Sequence, residues 1–128
     1  SYAEWHPSGR YLALCLYARN QVLFVQLTDQ KQRLLEVVGQ AVTVGSDPYS
    51  GHWSPDGRFF ITTDWGRNFA AKTLQDRLPA RKGTVSVIRF MPKKASIRLV
   101  SQAQTGRSPE GLAISRDGKL LATCNMQE

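Results

Sequence analysis

Three segments of this 128-residue chain repeat one pattern without gaps: EWHPSGRYLALCLY at 4–17, HWSPDGRFFITTDW at 52–65 and AISRDGKLLATCNM at 113–126. Gly9, Gly57 and Gly118 align, each preceded by Ser8, Asp56 or Asp117 and followed by Arg10, Arg58 or Lys119. Pro7 and Pro55 stand two residues before the glycine, and Arg116 replaces them in the third copy. Proline presets the first turn position, and Asp or Ser bonds its own backbone. Glycine accepts the positive φ that closes the turn. An apolar residue (Trp5, Trp53, Ile114) ends the strand before the turn, and a β-rich run follows it. Each copy therefore predicts a hairpin.

A second element repeats behind the first. Residues 21–26 (QVLFVQ) match residues 84–89 (TVSVIR), both with the pattern of a buried strand. A polar turn follows each, at Asp29-Gln30-Lys31 and Pro92-Lys93-Lys94, then a further strand candidate at Arg33 to Val38 and Ser96 to Gln102. Gly45-Ser46-Asp47-Pro48 and Gly106-Arg107-Ser108-Pro109 introduce the next hairpin. The unit is thus four strands, a to d, with strands a and b joined by the glycine turn. Four short strands per repeat of roughly 40–50 residues is the spacing of a β-propeller. A sandwich or barrel does not predict the same turn at every fourth strand. The expected fold is all-β: a partial propeller of four-stranded antiparallel blades, part of a larger, seven-bladed ring.

The blades are 1–48, 49–109, and 110–128 for strands a and b of a third. Gly9 and Gly57 are 48 residues apart, but Gly57 and Gly118 are 61 apart. The excess falls between strands b and c of the second blade, as an insertion at 65–82. Asn68 is placed to cap a short helix over 69–78, with Pro79 and Gly83 punctuating its end. A propeller closes with roughly four to eight blades. The remaining blades are expected from the same chain or from self-association, because open blade faces and edges aggregate. Cys15 and Cys124 occupy the same strand-b position two blades apart, too far for a disulfide. Both are expected to be buried free thiols.

The runs GTVSVIRF (83–90) and SPEGLAISRDGKLLATCN (108–125) resemble the YVTN-type repeat of seven-bladed propellers. The stretch DPYSGHWSPDGRFFITTDWGRN (47–68) is also similar to the WSPDG repeats of Tol-type propellers. The resemblance covers the chain except 66–82. It implies a periplasmic or secreted protein and leaves the activity open, since fold does not decide function. Members of such families include binding proteins, sugar-lactone hydrolases and subunits of redox enzymes. Lactonase-type members carry Gly-Pro-Arg-His before the repeat turn. Here the sequence is Asp47-Pro48-Tyr49-Ser50, and Ser108-Pro109-Glu110-Gly111 in the next copy.

In propellers the d–a and b–c loops share one face, opposite the glycine turns. That face is expected to carry Asp47, Tyr49, Arg107 and Glu110 from d–a loops, and Arg19, Asn20, Asp64, Trp65, Arg67, Asn68 and Asn125 from b–c loops. The insertion adds Arg67, Lys72, Arg77, Arg81 and Lys82 against Asp76, a net +4 out of the chain's +7. The simpler reading is a solvated surface loop; the functional one is a basic lip for an anionic ligand, phosphate, a nucleic-acid strand or an acidic protein surface, with Trp65 and Phe69 available for stacking. His52, on strand a near the channel, is a candidate acid, base or ligand, although a packed structural histidine is the simpler reading. His6 reads as a turn residue, and Trp5 and Trp53 as blade-packing residues. No nucleophile elbow, phosphate loop, metal-protease or calcium motif is present, so no cofactor is expected. No apolar run is long enough to span a membrane. The first reading is a binding module using the loop face. An enzyme of the lactonase or redox-subunit kind, with its site in the channel, is the alternative. Nucleic-acid binding through the basic loop is the weaker third.

Overall fold

Each glycine turn closes a hairpin in the computed structural model, which describes residues 2–29, 34–68, 71–77 and 82–127. In chain order the strands are β1 (Tyr2–Trp5), β2 (Tyr11–Leu16), β3 (Gln21–Leu27), β4 (Leu35–Val37), β5 (Val42–Thr43), β6 (Pro48–Trp53), β7 (Phe59–Asp64), β8 (Lys82–Met91), β9 (Ser96–Ile114) and β10 (Leu121–Gln127). Gly9, Gly57 and Gly118 have φ of +69°, +69° and +71°. Their amides donate to the carbonyls of His6, Ser54 and Ser115, each at 2.8 Å. The three copies are thus the same turn in geometry as well as in sequence.

The acidic turn residues act as acceptors. Asp56 takes the Ser54 hydroxyl at 2.6 Å, the Arg58 amide at 3.0 Å and Arg58 Nε at 2.7 Å. Asp117 takes the Ser115 hydroxyl at 2.6 Å and the Lys119 amide at 3.1 Å. In the first copy His6 replaces that serine. Its Nδ1 accepts the Ser8 amide at 3.0 Å, which leaves Nε2–H to donate to the Gly57 carbonyl at 2.9 Å. The first turn is thereby tied to the second.

The first sheet runs β1-β2-β3-β4, with β5 also on β3. The pairs Val25↔Val37 and Val22↔Val42 show that β4 and β5 are one outer strand with a break. The second sheet runs β6-β7-β8-β9-β10. Strand β9 pairs with β8 through residues 96–107 and with β10 through residues 107–114. It is the fourth strand of one blade and the first of the next, running unbroken through 109–110. The chain is all-β, a stretch of β-propeller with four-stranded antiparallel blades. No described helix is long and apolar enough to cross a membrane.

The core lies between the sheets. Phe24 of β3 packs against Phe90 at 4.8 Å, Trp53 at 5.7 Å and Phe60 at 6.0 Å between ring centres, all from the second sheet. Period-two alternation puts Ala13, Cys15, Val22 and Phe24 on that seam. Burial pushes the Cys15 thiol up to about 12, with the Asp64 carboxylate adding to the effect.

Several expectations are corrected. Cys124 is exposed, not buried, because among the described residues no further blade covers the outer side of β10. Trp5 is 51% exposed for the same reason on the other side, while its counterpart Trp53 is buried. Among the described residues of the insertion the helix is α1 (Leu74–Arg77). Its cap is Thr73, whose hydroxyl accepts the Asp76 amide at 3.1 Å, and not Asn68. Gln30, Lys31, Arg33, Phe69, Leu78, Pro79 and Arg81 lie outside the described residues.

A Cβ added at Gly57 would run into the His6 ring, whereas one at Gly9 meets nothing within 4 Å. Alanine is therefore expected to cost about 1 kcal/mol at Gly9 and about 2–3 kcal/mol at Gly57. Urea unfolding measures both, and equal losses would contradict the tie through His6. Hydrogen bonds, first from the Ser54 hydroxyl and then from the Arg58 amide, hold the Asp56 carboxyl at about 2. Its folded value is below the ordinary one near 4, so its stabilisation is present above pH ~4 and fades as pH falls toward 2. The stability gap between wild type and Asp56→Ala should therefore narrow over that window, and a gap unchanged down to pH 2 would refute this.

Candidate functional site

The ends of the strands opposite the turns are held by a buried carboxylate. Asp64, at the end of β7, accepts the hydroxyls of Thr62 at 2.8 Å, Thr84 at 2.8 Å and Ser86 at 2.6 Å, and the Gly45 amide at 3.2 Å. Gln102 extends the network by donating to the Ser86 hydroxyl at 2.9 Å. Burial raises the Asp64 carboxyl, and these hydrogen bonds oppose that shift. Gly45 must approach closely here, since a Cβ would strike Thr84 and Asp64. The network joins the strand ends of one blade to the loop entering it. Asp64 has no counterpart in the first repeat, where the aligned residue is Leu16. The third copy has the polar Asn125 there, and the sequence signal for Asp64 is its place at the end of strand b, on the loop face.

Beside this network four of the candidate residues converge. Asp47 has φ +61° and is fully buried. Its amide donates to Asn20 Oδ1 at 2.9 Å, and its carbonyl accepts the Trp65 amide at 2.9 Å. Its Oδ2 takes Arg67 Nε at 2.7 Å. Burial pushes the Asp47 carboxyl up, and the hydrogen bond and charge of Arg67 pull it back. The Arg67 guanidinium lies over the Trp65 ring at 4.4 Å. A bulge between Pro48 and Ser50 takes Tyr49 out of the β6–β7 register. Tyr49 then stacks on Trp65 at 4.1 Å with 19° between planes. The result is a layered platform of Tyr49, Trp65 and Arg67, anchored by Asp47.

Arg107 lies at the same end of the strands. It is the direct cross-strand partner of Lys82, both are exposed, and neither pairs with a carboxylate among the described residues. The adjoining Gly83 lies against Pro109 and the Asp64 carbonyl, so the two cations belong to the same end. Glu110 occupies the position equivalent to Tyr49, at a second bulge. It contributes its carbonyl, which accepts the Ser50 hydroxyl at 2.9 Å. Lys72 and Arg77 are exposed on the segment 71–77, where Arg77 Nε donates to the Ala71 carbonyl at 2.8 Å. Arg81 is outside the described residues. His52 is not brought to the cluster. Its Nδ1 lies 2.8 Å from Glu4 of the first blade, and Glu4 also takes the Trp53 amide at 3.1 Å. His52 is thus a residue of the blade seam. Among the described residues no group of three or more His, Cys, Asp or Glu is arranged to hold a metal.

No protein-family model matches the sequence, and no curated protein does. Solved structures are similar in fold. A candidate 6-phosphogluconolactonase of Bacteroides fragilis superposes with a TM-score of 0.72 at 18% identity, over 96% of this chain and 31% of its own. The periplasmic gluconolactonase of Pseudomonas aeruginosa gives 0.65 at 20% identity, over 96% and 31%. Kuenenia stuttgartiensis hydrazine synthase gives 0.66 at 15% identity, over 94% and 30%. The chain therefore spans about a third of the length of each of these structures.

Removing Arg67 leaves the Asp47 carboxylate buried without its counter-charge. Arg67→Met is expected to cost about 2–4 kcal/mol. Asn tolerates the left-handed conformation at position 47 and carries no charge. The double variant Asp47→Asn/Arg67→Met should therefore regain more than half of that loss in chemical denaturation. Equal losses in the single and double variants would show that the charge is not what Arg67 balances.

Proposed function

We propose that this chain forms part of the ligand-binding loop face of a YVTN-type β-propeller, and that this face takes a small ligand carrying a carboxylate or phosphate group. The observation that carries the reading is the Lys82–Arg107 pair. Two like charges placed directly opposite each other across a strand pair repel, and an anion between them relieves the repulsion with charge-assisted hydrogen bonds. The rigid Tyr49–Trp65–Arg67 platform at the same end offers an aromatic edge for the rest of the ligand. The compartment most consistent with the repeat and with the Pseudomonas aeruginosa neighbour is the periplasm.

A second reading is that the whole protein is a lactone hydrolase with its site in the channel. The two neighbours described as lactonases favour it. Against it stand Asp47-Pro48-Tyr49-Ser50 and Ser108-Pro109-Glu110-Gly111 where lactonase-type members have Gly-Pro-Arg-His. The two readings separate in one set of measurements on the complete protein. Calorimetric titration with inorganic phosphate, gluconate and 6-phosphogluconate should show saturable binding of at least one, weakened about ten-fold or more by Arg107→Glu. Hydrolysis of gluconolactone or 6-phosphogluconolactone above the spontaneous rate would establish the second reading. Failure of all three anions to bind would remove the first.

A further inference from the structure

The end of the molecule that carries the glycine turns has a cavity of its own. Between the first two blades lies a cavity of about 300 Å³. His6 and Tyr11 form one wall from the first blade, and the run Phe90 to Lys94 forms the other from the second. The walls are preformed. Tyr11 meets Phe90 edge-on at 5.1 Å, and the His6 ring lies 5.5 Å from Tyr11 and 5.7 Å from Phe90. Both His6 nitrogens are already engaged, with Ser8 and with the Gly57 carbonyl. Apart from the Tyr11 hydroxyl and the two lysines, the cavity therefore presents ring surfaces, Met91 and Pro92. Pro92–Lys94 is a single tight turn, closed by the Ala95 amide on the Pro92 carbonyl at 3.0 Å, with Ala95 at φ +50°.

The rim differs from the interior. Lys93 and Lys94 are exposed, and among the described residues no carboxylate pairs with either. A volume near the lower limit for ligand cavities, roughly 300–1,000 Å³, suits one aromatic or aliphatic side chain. Two unneutralised ammonium groups beside it suit carboxylates flanking that side chain. An apolar anchor in a pocket with a charged rim is the usual form of an interaction hot spot. We propose that this surface docks an acidic peptide segment of a partner protein, with one apolar side chain seated against the packed Tyr11 and Phe90 rings beside Met91 and Pro92 and its acidic neighbours on Lys93 and Lys94. This site is on the opposite end from the anion-binding face and does not depend on it.

The test uses three fluorescently labelled pentapeptides against the complete protein: Asp-Glu-Phe-Glu-Asp, Asp-Glu-Ala-Glu-Asp and Lys-Lys-Phe-Lys-Lys. Anisotropy should show saturable binding of the first. The alanine peptide should bind about five-fold or more weakly, and the basic peptide not at all. Lys93→Glu/Lys94→Glu changes only exposed side chains, and it should weaken the first peptide about ten-fold or more. Lys72→Glu, on the loop side, should leave it unchanged. Equal binding of the phenylalanine and alanine peptides would overturn the proposal, because it would reflect net charge alone. So would binding that Lys72→Glu weakens as much as the double variant. Absence of binding up to about 1 mM peptide, including the case where 2-naphthoate saturates the cavity instead, would overturn it as well.

Discussion

The contact on which the rest of this structure depends is the packing of Phe24 from one blade into Trp53, Phe60 and Phe90 of the next. A four-stranded sheet cannot bury its own face, so a blade is stable only against a neighbour. A fully buried phenylalanine contributes roughly 2–3 kcal/mol, and here four aromatic residues share one interface. The polar contacts across the seam follow from that packing. Glu4 bonds to His52 and to the Trp53 amide, and His6 bonds to Gly57. Each needs the sheets already in register, because each joins residues about fifty positions apart in sequence.

The two ends of the blades solve different problems with related residues. At the turn end, Asp56 and Asp117 are exposed acceptors for local amides and hydroxyls, and their carboxyls are lowered. At the loop end, Asp47 and Asp64 are buried, and their carboxyls are raised. Desolvation is the difference. An exposed carboxylate gains from its hydrogen bonds at little cost, whereas a buried one needs several partners merely to offset the loss of water. Asp64 has three hydroxyls and an amide; Asp47 has Arg67. Such partners rigidify the loops that carry them, which is what a binding surface requires.

Equivalent positions in the repeat were put to different uses. Position 15 is a buried cysteine and 63 a buried threonine bonded to Ser50. Positions 49 and 110 both sit at a bulge, but one offers a stacked tyrosine ring and the other a backbone carbonyl. The backbone is conserved from blade to blade by the turn and the pairing. The side chains then specialise wherever the backbone leaves them facing a loop.

The sequence by itself determined the hairpins, the four-strand unit and the position of the insertion, because each rests on local chemistry: a glycine at positive φ, a proline-preset turn, an alternation of period two. It also nominated Asp47, Tyr49, Trp65 and Arg67, through loop position and residue type. It did not show that these four form one stack, that His52 turns away to Glu4, or that Trp5 and Cys124 lie in the open while Trp53 and Cys15 are buried. Those outcomes turn on which blade face meets which, a relation between residues distant in sequence. The cavity lined by Tyr11 and Phe90 is of the same kind. Its walls belong to different blades, and only the tertiary packing brings them together.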